Sequence, residues 1–241
     1  IGFSQTKTFR ELFRKKVIEL VNNEINGKLN IEKIDGTILT SLFLRNTSIK
    51  INNDTLLYAN KIEVKVSPLQ LILKKMYVRK ISLEDAEINL LQNEDGTWNY
   101  QKLIKPKPED TTKSTFPFYI QINDLQLKNI NIVKQTYVNI KSKKFYSTIN
   151  YDDIQIRNLN LSAQAFIDIK NSDYLLLLKE FSFKPNLNRF TLKNISGNFA
   201  VTKNFAAITN FALETDSSNI KLNVKLDSLN LFGNVELDDF K

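Results

Sequence analysis

Residues 120–132 read Ile-Gln-Ile-Asn-Asp-Leu-Gln-Leu-Lys-Asn-Ile-Asn-Ile. Apolar side chains fall at Ile120, Ile122, Leu125, Leu127, Ile130 and Ile132, in steps of two, three, two, three and two. A flat strand repeats every two residues, so each three-step alone would throw the next apolar residue onto the wrong face. A β-bulge inserts one residue and restores the face. The polar pairs at the three-steps, Asn123-Asp124 and Lys128-Asn129, contain the residue types that tolerate bent backbone. The stretch therefore predicts a curved strand that keeps one face apolar around its bends.

The pattern recurs on both sides. Ile154 and Ile156 are followed, across Arg157-Asn158, by Leu159 and Leu161. Leu42 and Leu44 lead across Arg45-Asn46 to Thr47, Ile49 and Ile51, and Val78 leads to Ile81, Leu83, Ala86 and Ile88. Toward the C-terminus the same face continues through Phe181 and Phe183, then Phe190, Leu192 and Ile195. Phe199, Val201, Phe211 and Leu213 follow, and Ile220, Leu222, Val224 and Leu226 close the series. From Ile120 to Leu226 these alternating positions are the candidate lining of one apolar surface. Such a surface must be covered by a second sheet, by a helix or by curling. Almost no helical periodicity follows residue 117, which leaves a closed sandwich or barrel, or an open curled sheet whose interior binds something apolar such as lipid tails. The residues alone favour the closed form, because large apolar surfaces are usually core.

Before that region, residues 6–26 predict a helix, with Phe9, Leu12, Phe13, Val17, Leu20, Val21 and Ile25 at three- and four-residue spacing and Gly27 closing it at C′. Lys7, Arg10, Arg14, Lys15 and Lys16 crowd its first half. They fit a helix near an anionic membrane surface, although an amphipathic helix more often packs on the next strands with its charges in solvent. Short alternating runs fill 29–91, interrupted by Ser67-Pro68, a favoured helix start for a short helix to about Lys75. Asp95-Gly96 marks a turn into Trp98, read as a plug at a sheet end with Tyr100 on the same side. The polar, proline-bearing stretch 105–117 is the best boundary or mobile loop. The expected division is a helix over 1–28, an α+β region over 29–104, the loop, and a repetitive β segment over 118–241.

The chain has 241 residues, no cysteine, no histidine and a formal net charge of +8. Disulfides, thiolate nucleophiles, zinc–thiolate sites and imidazole bases are thereby excluded. Asp152-Asp153 and Asp238-Asp239 are carboxylate pairs, but neighbours in a strand point to opposite faces. No enzyme activity, cofactor or metal is expected. Lys141, Lys143 and Lys144 beside Phe145 and Tyr146 form one basic-aromatic cluster without a recognised nucleic-acid motif. Lys74, Lys75, Arg79 and Lys80 make either a solvated face or a contact for anionic head groups. The abundant Asn is read as a product of AT-rich coding rather than a prion-like tract. No run of 18 apolar residues exists, and the start at Ile1 suggests a piece of a longer protein whose anchor or leader precedes it.

Residues 29–103 also resemble the N-terminal region of the AsmA-like superfamily, its TamB-type members in particular. The resemblance rests on an ordered set: Lys28 to Leu39 around Gly36, Leu42 to Ile49, Ala59 to Leu73, Ile81 to Ile88, and Asp95-Gly-Thr-Trp-Asn-Tyr-Gln-Lys-Leu103. It implies a bacterial envelope protein tethered to the inner membrane, with a periplasmic, taco-like β groove that shields phospholipid acyl chains. It also implies a possible Omp85-type outer-membrane partner, which opens a second role in outer-membrane β-protein assembly. About a dozen strands at ~4.8 Å spacing would give a sheet ~60 Å long at most.

Overall fold

The structure, a computed structural model, describes residues 6–37, 40–51, 54–67, 76–101, 103–105, 119–139 and 145–227. One helix, α1 (Lys7–Glu24), precedes ten strands. The first five are β1 (Lys28–Gly36), β2 (Leu42–Ile51), β3 (Asp54–Val66), β4 (Met76–Leu91) and β5 (Tyr119–Gln135). The rest are β6 (Asp153–Asp168), β7 (Asp173–Pro185), β8 (Leu192–Val201), β9 (Phe205–Thr215) and β10 (Asn219–Asp227). All ten form one sheet in strict chain order. It is curved and does not close into a barrel. Closure would require the first and last strands to pair. Among the described residues β1 pairs with β2 and β10 with β9, and no ladder joins β1 to β10. The sheet is open and curved, as the family resemblance implies, rather than the closed form that the residues alone favour. Ten strands at ~4.8 Å span about 43 Å across the sheet.

Every ladder is antiparallel except β4–β5. A parallel pair needs a crossover, because the chain must return to the starting end. The described part of that crossover runs along one end of the sheet and ties to α1. Asn26 donates its N–H to Leu103 O at 2.7 Å, Lys105 N–H reaches Glu24 O, and Ile25 bridges Ile104. The sheet thus continues from β4 to β5 across the 105–117 segment. The short helix expected after Ser67 lies outside the described residues.

Thr6 caps α1 by accepting the Phe9 N–H. Phe13, Val17, Ile18 and Val21 pack on Leu29, Ile31 and Ile34 of β1. Leu12 and Leu20, expected on the same face, are instead 58% and 53% exposed. At 3.6 residues per turn the Leu12–Lys16–Leu20 stripe lies roughly 120° around the helix from the packed one. Gly27 does not close the helix in a left-handed conformation, since the cap is Ile25 in extended backbone. Its lack of a side chain serves close approach: a Cβ there would sit 2.8 Å from Lys50 O.

The bends fall where the three-steps fall. Asn46, Asp85, Asn129, Asn158 and Asn210 have φ of 44°, 50°, 55°, 51° and 53°. Each is the second residue of a polar pair between two inward positions, apolar in every case except Thr47 after Asn46. Left-handed backbone costs Asn and Asp least among non-glycine residues. Asn123 and Asp124 do not adopt it, although the β5–β6 register shifts between Ile122 and Leu125. Where the ladder skips a bent residue, its N–H needs another acceptor. Asn129 donates to Asn160 Oδ1, Asn158 to Asn131 Oδ1 and Asn210 to Asn223 Oδ1. At these bends asparagine is a structural element of the sheet.

Candidate functional site

Ladder partners share a face, so the register shows where the candidate lining positions go. One row runs Ile31–Thr47–Ala59–Ala86–Ile130–Leu159 across six strands, all between 0 and 5% exposed. Beside it, Leu44, Ile62, Leu83, Leu127, Leu161 and Phe181 form a second row. On its other side run Leu57, Ile88, Ile132 and Ile156. The two alanines sit low between larger neighbours, and Phe183 joins the cluster they form. This face is one continuous apolar side of the curved sheet, least exposed along the line of bends.

The same face continues to the far edge. Ile122 aligns with Ala165, Leu176, Phe199, Ile208 and Val224, and Ile120 aligns with Val201 and Leu226 through β6 to β10. Leu125 pairs with Ala163, Phe183 with Leu192, Leu213 with Ile220, and Phe211 with Leu222. The Phe199 and Phe211 rings meet edge to face. Ile154 stands at the rim, opposite Lys134. Exposure rises along the sheet: Val224 and Leu226 at the β10 edge are 42% and 51% exposed, and no described layer covers them.

At the rim near the ends of β5, β6 and β7, Ile149, Ile154, Ile156, Phe183, Leu187 and Phe190 wall an apolar cavity of about 290 Å³. A buried polar hub holds its loops. Asp153 accepts hydrogen bonds from Gln135 Nε2 (3.1 Å), Gln155 Nε2 (3.3 Å) and Tyr146 Oη (2.8 Å), while Asn186 Nδ2 donates to its main-chain carbonyl. Asp152, by contrast, is exposed. This carboxylate pair therefore does not converge, and Asp238-Asp239 lies outside the described residues. Sequence reasoning missed Asp153 as a hub, because its partners come from β5, β6 and two loops.

Trp98 stacks on Tyr100 with ring centroids 6.2 Å apart, and Lys134 Nζ lies 5.1 Å from its centroid. Trp98 sits at the end of β4, bridged to Gln92. The neighbouring Asn99 is buried and takes the place of a strand partner. It accepts the Leu91 N–H and donates to Asn89 O.

The opposite face is polar. Lys61 pairs with Glu84 at 2.8 Å and Lys80 with Glu63 at 2.9 Å. Burial alone would raise the Glu63 carboxyl, but hydrogen bonds from Lys80 and Ser41, with the charges of Lys80 and Lys61, hold it below the usual carboxylate range. Glu84 is held down chiefly by its hydrogen bond from Lys61, against burial, with help from Lys128 and Ser82. The bond to Glu63 raises Lys80. Lys80 thus serves the sheet, and Arg79 donates to Val66 O. Lys74, Lys75, Lys141, Lys143 and Lys144 lie outside the described residues. On α1, Arg14 pairs with Glu11 and donates to Ile31 O, and Lys16 pairs with Glu19. Lys7 and Lys15 are exposed and Arg10 is half-buried.

The TamB N-terminal domain matches residues 15–173, from within α1 to the start of β7. The chain belongs to the TamB family. Membership makes it a cell-envelope protein and ties it to envelope biogenesis. Strands β8, β9 and β10 carry the same sheet beyond the matched span. Among curated proteins, none matches the chain. No described helix is long and apolar enough to cross a membrane.

Proposed function

We propose that this TamB-family chain shields phospholipid acyl chains in its trough, as a periplasmic segment of a bridge-like carrier between the inner and outer membranes. The observation that carries the reading is the unbroken apolar face from β1 to β10, with its outer part uncovered. Exposing acyl chain to water costs about 0.8 kcal/mol per methylene, so a two-tailed lipid with some 30 methylenes faces a penalty above ~20 kcal/mol. A continuous trough removes most of it and needs no catalytic residue. We therefore read the chain as a binding module rather than an enzyme. Its tether to the inner membrane belongs to the full-length protein and to the same proposal.

Face-specific photo-crosslinking in a bacterial envelope tests this reading. Photoreactive residues at Ile122 or Ile132 should capture phospholipid. The same residue at Gln121 or Val133, one step along the strand and on the other face, should not. Equal capture from both faces would overturn it.

A second reading rests on the outer edge of β10, which carries no described partner. A free strand edge can add another strand. The chain would then scaffold outer-membrane β-proteins with an Omp85-type partner. Leu222→Arg separates the two, because it charges the trough and leaves the β10 backbone free. Lipid capture should be lost, while strand capture, if that is the function, should persist.

A further inference from the structure

We propose that the sheet floor under α1, formed by Leu29, Ile31, Ile34 and Leu44, is itself an acyl-chain site. Helix α1 occupies it at rest and vacates it at an anionic bilayer surface. This rests on the trough reading above. The floor does not change chemistry at the helix: Ile31 begins the buried row that ends at Leu159, and Ile34 and Leu44 begin the row that runs to Phe181. The side chains of α1 thus fill, over β1 and β2, the space that an acyl chain would fill farther along.

Three observations point to displacement. First, none of the α1 residues is buried. Second, α1 has another place to go. Leu12 and Leu20 are exposed on a stripe that also carries Lys16, roughly 120° around the helix from the packed one, and residues 7–16 carry five basic side chains against one acidic. That combination suits a helix lying in the interface of an anionic bilayer. Its C-terminal end is fastened to the crossover through Asn26, Ile25 and Glu24, while the basic half is held to the floor strand by the Arg14 bond to Ile31 O, which breaks when that half swings about the fastened end. Third, Thr47, 2% exposed in the floor row beside Ile31, has a buried hydroxyl with no partner among the described residues. A lone hydroxyl on an apolar floor suits the ester carbonyl of an acyl chain, which it could donate to. The ligand class is therefore an esterified acyl chain rather than a bare hydrocarbon.

The chain has no cysteine, so Val17→Cys with Leu44→Cys gives the only thiol pair. Both residues pack on the same β1 cluster. Oxidation should tether α1 to the sheet in buffer and with phosphatidylcholine vesicles. With vesicles of phosphatidylethanolamine and phosphatidylglycerol the tether yield should fall at least about threefold. Adding Leu12→Ser and Leu20→Ser should restore it. The pre-tethered protein should also take up less lipid than the same protein after reduction. A photoreactive residue replacing Val17 gives the distinction without a tether: it should cross-link to the sheet in buffer and to lipid with anionic vesicles. Unchanged tether yield, or cross-linking to the sheet in both conditions, by a chain that still takes up lipid would overturn the α1 proposal alone. A wild-type chain that takes up no lipid would overturn the trough reading beneath it.

Discussion

Asn160 accepts the backbone N–H of Asn129 on its side-chain oxygen, 3.0 Å across the β5–β6 ladder. The relationship is reciprocal one turn of the pattern away, where Asn131 accepts the N–H of Asn158 at 3.2 Å. Between them Ile130 and Leu159 pair directly in the buried row of the apolar face. Each Asn-x-Asn unit thus supplies a bend, an acceptor for the neighbouring bend, and the apolar residue that the bend keeps on the inner face.

Replacing Asn158 separates the two contributions. Asn158→Ala keeps a left-handed residue without the amide and should destabilise the protein by about 1–2 kcal/mol. Asn158→Gly, which takes that backbone freely, should cost markedly less. Urea denaturation of the two variants measures the difference. Equal costs would show that the conformation is not what asparagine supplies there.

Gly36 joins β1 to the β2 hairpin at φ +82°, and a Cβ there would collide with the backbone carbonyl oxygen of Ser41. Gly36→Ala should therefore lower stability by more than about 2 kcal/mol, since strain and a backbone collision add. A melting curve indistinguishable from wild type would contradict this geometry.

The ion pairs of the polar face set a pH dependence. Glu63 and Glu84 have lowered folded-state pKa values, so their contribution is present above the ordinary carboxylate value of 4.5 and is lost as pH falls through the depressed values. Lys80 is raised, so its share is present below its ordinary value of 10.5 and is lost as pH rises through the raised one. Thermal melts should show a plateau at neutral pH and a fall in acid. Glu63→Gln with Glu84→Gln should lower the plateau by about 1 kcal/mol or less and flatten the acid fall. An acid limb of unchanged steepness would assign acid sensitivity to other carboxylates.

Ile130→Ala removes a fully buried branched side chain from the floor and should cost about 2–5 kcal/mol. Leu222→Arg, in the half-open outer part, should cost far less while abolishing lipid retention. Chemical denaturation and lipid extraction from the two purified variants check the contrast. Leu222→Arg protein that still folds and keeps its lipid would place the bound chain elsewhere.

The bends at Asn46, Asn129 and Asn158 are legible in the sequence, because apolar residues three apart share a strand face only where the backbone bends between them. The parallel β4–β5 pair is not, since a strand shows the same alternation whichever way its neighbour runs. Open or closed is equally illegible: Ile220 and Leu226 look the same under a covering layer or without one. On α1 the periodicity identifies the helix but misplaces its packed face, which takes Ile18 and leaves Leu12 and Leu20 outside. Three- and four-residue spacing fits two adjacent stripes equally well. Asp153 is invisible as a hub, because its partners are brought together by the fold alone.

The most direct test is native mass spectrometry of the chain purified from a bacterial envelope without detergent, with lipid extraction from the same sample. Phospholipid should be bound at near-stoichiometric amounts and be lost on Leu222→Arg. A stable, monodisperse, lipid-free protein would contradict it.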